Sequence, residues 1–271
     1  MTAITEYIKV EGVRIAYQVK GELSDNCPLV MVTGLSGVKE DWGDLANQLA
    51  ESRRVLVIDN RGMGESDIPS GAYSIEVMAA DVLAVADQLD WEQFDLLGVS
   101  MGGMISQQLA VLFPQRIRKL VLMSTSHGGP NQTPISVEAF QAFQSDPKAS
   151  VFDKVKQFLR INYTQQWLDD HPKQFEVNVH DSIKYRRSGR GILNQMSAIM
   201  GFNLEEEIKD IDLPTLVVHG SGDRLLDFSN GKMIAEKIPN ATLQTIDGAG
   251  HLVWMVDRGV SADAVNQFLL A

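Results

Sequence analysis

A serine between two glycines, Gly98-Val99-Ser100-Met101-Gly102, follows the apolar stretch Phe94-Asp95-Leu96-Leu97 and opens into a helix-compatible run. A strand that turns this tightly into a helix strains the serine backbone, leaves no room for β-carbons beside it, and exposes the hydroxyl as a nucleophile. The string alone is a weak signal, so its weight rests on what accompanies it. Asp223 follows an apolar run through Gly220-Ser221-Gly222, and His251 follows another through Gly248-Ala249-Gly250. Hydroxyl, imidazole and carboxylate together suit acyl transfer. The imidazole takes the hydroxyl proton as oxygen attacks an acyl carbon, and the carboxylate orients the ring and stabilises its cation.

Three residues so far apart need elements that bring them together. Residues 7–10 and 13–19 alternate apolar and polar around Glu11-Gly12, as two half-buried edge strands joined by a tight hairpin do. From Leu29 onward the pattern changes to short continuous apolar runs bounded by glycine and separated by helical segments, the mark of a parallel sheet covered on both faces. The predicted strands are 29–32, 54–58, 94–99, 120–123, 215–219 and 242–246. Residues 74–89 read as the clearest helix, with Ser74 as its cap, and 101–113 as the helix after the serine, stopped by Pro114. Between about 127 and 204 no strand-like run occurs, while Phe140, Phe143, Phe152, Phe158, Tyr163, Trp167, Phe175 and Tyr185 gather in helix-compatible surroundings. The expected fold is α/β: a mostly parallel, doubly wound sheet with N-terminal antiparallel strands. Residues 1–126 and 206–271 form this core domain and 127–205 an inserted helical cap. Parallel strands end on one edge of a sheet, so Ser100, Asp223 and His251, each following a different strand, converge there in the order Ser, Asp, His.

At these residues the chain resembles the α/β-hydrolase superfamily, specifically its compact capped esterase, lactonase and carbon-carbon bond hydrolase group, over nearly its whole length. The matching pieces are Val32-Thr33-Gly34-Leu35, the run from Asp59 to Ser66, the turn at Ser100, the run from Leu216 to Asp223, and Gly248-Ala249-Gly250-His251. Met101 supplies one backbone N–H to an oxyanion hole by following the nucleophile, and the resemblance implies Leu35 as the other donor. Thr33 stands where many members carry histidine, which puts loop geometry and pocket polarity in question. A serine at 100 excludes the epoxide hydrolase and haloalkane dehalogenase branches, whose chemistry needs a carboxylate nucleophile.

Other polar residues have plainer readings. Asp227 is a nearby competitor for the acid role. His219 closes an apolar strand and reads as a packed or hydrogen-bonded residue, His127 as a loop histidine, and His171 and His180 as cap surface. Asp59 and Arg61 hold a turn, Trp42 and Trp254 pack the core, and Arg186, Arg187 and Arg190 mark a solvated helix end.

The 271 residues suffice for one domain with an insertion, and 44% hydrophobic with 22% charged residues is an ordinary globular composition. A net charge of −11 repels phosphate backbones and anionic lipid, which argues against nucleic-acid and membrane partners and for a small-molecule substrate. Cys27 is the single cysteine, so no intrachain disulfide forms and no cysteine cluster exists to bind a metal. The first seven residues have no basic stretch leading into an apolar run, and a cytoplasmic location is expected. The leading expectation is a serine hydrolase of a small, largely apolar carboxylic ester or lactone, held beneath an aromatic- and Met-lined cap and needing neither cofactor nor metal. Carbon-carbon bond hydrolysis, acyl transfer and perhydrolysis use the same parts. A ligand-binding receptor with a vestigial hydrolase site is the reading from another class. The expected oligomeric state is a monomer or a homodimer.

Overall fold

The computed structural model describes residues 4–144, 146, 148–256 and 258–271; Met1, Thr2 and Ala3, the first of the seven N-terminal residues considered for a signal, lie outside the described residues. Eight strands form one sheet: β1 (Glu6–Val10), β2 (Val13–Lys20), β3 (Leu29–Val32), β4 (Val55–Ile58), β5 (Phe94–Val99), β6 (Ile117–Met123), β7 (Thr215–Gly220) and β8 (Ala241–Ile246). Their order is β1-β2-β4-β3-β5-β6-β7-β8. The N-terminal hairpin pairs antiparallel, β2 joins β4 antiparallel, and every later pair is parallel. The sheet is thus the mixed, mostly parallel one that the apolar runs predict.

Alternation along the strands divides the core in two. Val30, Val32, Leu56, Ile58, Leu96, Leu120, Leu122 and Val217 face one side. Residues of α2 (Ile75–Gln88), α3 (Met101–Leu112) and α9 (Phe228–Lys237) cover them. Leu29, Met31, Val55, Val57, Leu97, Val99, Val121, Met123 and Val218 face the other side, under α1 (Gly43–Leu49), α10 (Val253–Val256) and α11 (Arg258–Leu270). β3, β4 and β5 are buried along their whole length, whereas edge strand β8 is buried only at Ile246. Ser74 caps α2 by accepting from the Val77 N–H at 3.3 Å.

Between β6 and β7 the chain runs through α4 (Val137–Phe143), α5 (Val151–Arg160), α6 (Gln165–Asp170), α7 (Pro172–Ile183) and α8 (Gly189–Met200). Hydroxyls of Ser136, Ser150, Thr164 and Ser188 cap four of these helices. The outgoing and returning chain meet at an antiparallel bridge, Gly128 with Asn203, and at a bond from Leu204 N–H to His127 O of 2.9 Å. The inserted helices have their own core of Tyr163, Trp167, Leu168, Phe175 and Val179, with the Tyr163 and Trp167 rings stacked at 4.3 Å. Those aromatics pack on one another, and Phe140, Tyr185 and Met200 face solvent, so the aromatic content of this segment serves its cohesion as well as any pocket lining. Among the described residues, no helix is long and apolar enough to cross a membrane.

The loops after β3 and β4 are joined by a buried ion cluster. The Lys39 side chain is 1% exposed, and its ammonium meets Glu65 at 2.7 Å and Asp59 and Glu40 at 2.9 Å. Burial works against that charge, and the bonds to Glu65, Asp59 and Glu40 overcome it and hold the ammonium above its ordinary range. The same bond, then one from Tyr7, pulls the Glu65 carboxyl down to about 2. Replacing Lys39 by Met leaves Asp59 buried beside no cation, and urea unfolding at neutral pH should show a loss of about 3–5 kcal/mol. Because Glu65 titrates lower folded than its free value of 4.5, the contribution of its bond to Lys39 is complete above that pH and fades toward about 2. The gap between the Lys39→Met variant and the unaltered protein should narrow over that interval.

Candidate active site

Ser100 stands between β5 and α3 at φ 56° and ψ −121°, in the left-handed region that a residue with a β-carbon enters only when its surroundings force it. The cause is the close approach of backbones. A β-carbon on Gly98 would lie 2.2 Å from Gly102 O, and one on Gly102 would lie 2.0 Å from Val32 O. The Ser100 N–H donates to Met123 O at 2.9 Å, and its carbonyl accepts from Met104 N–H at 3.2 Å and from the Thr125 hydroxyl at 2.7 Å. Thr125, the second residue after the neighbouring strand β6, therefore helps hold the turn. Its position at a strand end was the available signal, and nothing in its residue type marked it.

Asp223 and His251 meet as the strand-end reading expects. The carboxylate oxygen Oδ2 of Asp223 accepts from His251 Nδ1 at 2.8 Å, and both side chains are almost wholly buried. The Leu225 and Leu226 N–H groups donate to Oδ1 at 2.9 and 3.0 Å. His219 Nε2 adds a bond to Oδ2 at 3.1 Å and one to Leu226 O at 2.9 Å. Burial alone would raise the Asp223 carboxyl, but the His251 ring beside it and the bonds from His219 and His251 outweigh burial and hold it far below the usual carboxylate range. Asp227 is placed elsewhere: it caps α9, accepting from the N–H and hydroxyl of Ser229. His219 is packed and hydrogen-bonded, as expected of it, but the partner it holds is the acid itself. The four-residue spacing across the glycine turn was the clue to that contact.

With Nδ1 committed to Asp223, His251 has Nε2 for a proton from a hydroxyl. Ser100's hydrogen bonds run through its backbone, and among the described residues none joins its hydroxyl to His251. The loop after β3 runs beside that hydroxyl: a β-carbon on Gly34 would lie 3.5 Å from Ser100 Oγ. Next to it, among the described residues, neither the Leu35 nor the Met101 N–H donates to a protein acceptor. Thr33 is buried, and Asn60 Nδ2 donates to its carbonyl at 3.0 Å and to its hydroxyl at 3.3 Å, so this threonine fastens the loop to the end of β4.

The inserted helices reach the same edge. Asn162 O accepts from the His251 N–H at 2.9 Å, and the Thr164 hydroxyl donates to Gly248 O at 3.2 Å. Arg187 forms a two-pronged pair with Asp41, so of the three neighbouring arginines this one is not a solvated helix end. His127 is fully buried beside the segment's exit, and burial pushes its pKa down. His171 and His180 are exposed. Arg61 grips Asp81 of α2 at 2.6 and 2.7 Å, and Asp59 accepts from the Lys39 and Glu65 N–H groups, which makes both turn-holding residues. Trp42 and Trp254 pack together in the core at 5.2 Å.

Known proteins share this fold. A family model described as alpha/beta hydrolase fold matches residues 28–257. The chain is 26% identical over 258 residues to a putative carbamate hydrolase RutD of Stutzerimonas stutzeri, covering 94% of each chain. It is 25% identical over 246 residues to 3-oxoadipate enol-lactonase 2 of Acinetobacter baylyi, covering 90% of this chain and 89% of that one. The crystal structure of the enol-lactonase from Burkholderia xenovorans LB400 superposes with a TM-score of 0.85 at 25% identity, over 98% of this chain and 100% of the other. A fold, a strand-to-helix serine turn and a family match of this extent make one conclusion: the chain belongs to the alpha/beta hydrolase family.

Proposed function

We propose that the protein is a serine hydrolase that cleaves a small, largely apolar carboxylic ester or lactone through an acyl-enzyme on Ser100. The observation that carries this reading is the buried bond between Asp223 and His251 Nδ1, which in the neutral ring places the proton on Nδ1 and turns Nε2 into the acceptor. In the reaction, His251 Nε2 accepts the Ser100 proton as Oγ bonds to the acyl carbon. The carbonyl π-pair moves onto oxygen, facing the Leu35 and Met101 N–H groups. Collapse of this adduct expels the alcohol oxygen, which takes the proton from His251 and leaves the acyl group on Ser100. Water, deprotonated by the same ring, then releases the acid. In a lactone the expelled oxygen stays tethered to the acyl group. The name of the enol-lactonase relatives supports a lactone. The name of the carbamate hydrolase relatives favours a carbamate as the second reading, since its carbonyl is attacked in the same way. Carbon-carbon bond cleavage, acyl transfer and perhydrolysis use the same groups. The acidic charge and single cysteine support a cytoplasmic enzyme acting on a small molecule.

A short-chain nitrophenyl ester should be turned over, and an organophosphonate should add one covalent mass at Ser100. Both should vanish in Ser100→Ala. An unaltered protein that gives neither result, yet binds a small ligand tightly, would support the receptor reading instead. Asp223→Asn should keep the fold and lower kcat by about 10³–10⁴-fold, because the ring loses its anionic partner and favours the wrong tautomer. Since Asp223 is held far below the ordinary carboxylate range, its own titration should add no limb to the pH–rate profile above about pH 4. A one-proton acid limb in kcat/KM checks this, whereas a two-proton limb would place the carboxyl in the titrating range.

A further inference from the structure

The loop that carries Leu35 is fastened by side chains of the inserted helices. Ser36, the next residue, sits at φ 61°, a conformation that a residue with a β-carbon leaves unless it is held. Both of its backbone polar groups are held. Its N–H donates to Gln195 Oε1 at 2.9 Å, and its carbonyl accepts from Arg187 Nη1. Gln195 lies on α8, is fully buried, and uses its amide nitrogen on Arg61 O at 3.2 Å, so its orientation is fixed from both ends. Arg187 is fixed in turn by Asp41 at 2.7 and 3.0 Å, and Asp41 accepts from the Val38 N–H at 2.9 Å at the other end of the same loop.

We propose that Gln195, seconded by Arg187, is a positioning residue for the oxyanion hole. Gln195 holds the N–H of the Leu35–Ser36 peptide and Arg187 the carbonyl of the next one; together they fix the plane that adjoins the Gly34–Leu35 peptide, and so the direction of the Leu35 N–H beside Ser100. The inference rests on the acyl-enzyme reading given above. It makes transition-state stabilisation depend on a residue of the inserted helices that touches neither substrate nor Ser100. An oxyanion donor acts only where the developing charge stands, so a loop that relaxes by about an ångström is expected to cost about 10²-fold in rate and little in substrate binding.

The test is Gln195→Met, which keeps the length and removes both bonds, measured by ester kinetics and by affinity for a small alkyl boronic acid. That acid bonds to the serine as a tetrahedral anion and needs the oxyanion donors. The expected result is a fall in kcat of about 10²-fold at nearly unchanged KM, with boronate affinity falling in parallel. Unchanged kcat and boronate affinity in a folded Gln195→Met protein would overturn the inference, as would equal losses in KM and kcat without weaker boronate binding. Should that variant not fold, Arg187→Met removes the carbonyl-side bond, together with the pair to Asp41 and the bond to Ser182 O, and leaves Gln195 in place. A several-fold fall in kcat and boronate affinity at constant KM is then expected, and wild-type values would overturn the inference. Failure of the underlying reading is separately visible, because the unaltered protein would then form neither boronate nor phosphonate adducts, and the clamp would fall with it.

Discussion

Everything at the edge that carries Ser100 depends on how closely three pieces of backbone approach one another. The first turn of α3 lies against the end of β3 with no space for a single methyl group between Gly102 and the Val32 carbonyl, and the end of β5 lies equally close to Gly102. This contact forces Ser100 into its left-handed conformation and brings the loop after β3 alongside its hydroxyl. It also puts the N-terminus of α3, with its unbonded N–H groups, beside the same point. The strand order adds the reason that this point lies here. The chain crosses from β3 to β4 in one direction and returns to β5 on the other side, which opens a crevice between the loops after β3 and β5.

The second requirement is a carboxylate that stays ionised without contact with water. Four donors converge on the two oxygens of Asp223, two from backbone and two from histidine rings. A buried charge is tolerable only when it is satisfied to this degree. His219 is the least obvious contributor. Its ring is packed against Gly231, where a β-carbon would lie 2.5 Å from Nδ1, so it has little freedom to turn away from the acid.

Most of this was legible in the residues because the physical constraints leave marks in composition. Buried parallel strands appear as unbroken apolar runs, and β3, β4 and β5 fall where those runs are. Gly98 and Gly102 appear because nothing else fits, and Ser74 because a helix start needs an acceptor. What was not legible was contact between distant segments. No pattern in Gln195, Thr125 or Asn162 announces that each bonds to the turn or loop of Ser100, Leu35 or His251. In each case the atom held is a backbone N–H or carbonyl, which nearly every residue carries, so nothing in the sequence pairs the two ends. Tyr163, Trp167 and Phe175 were visible as aromatics, but whether they line a pocket or pack on each other is decided by helix orientation, which a sequence does not show.

The bridge between Gly128 and Asn203 brings the departure and return points of the five intervening helices side by side. A segment with adjoining ends can change in length or content without shifting the register of the strands on either side. The segment can therefore be remodelled while the strand ends that carry Ser100, Asp223 and His251 stay in place. The limit on that freedom lies in a few handholds, at positions 162, 187 and 195, which any replacement module has to rebuild.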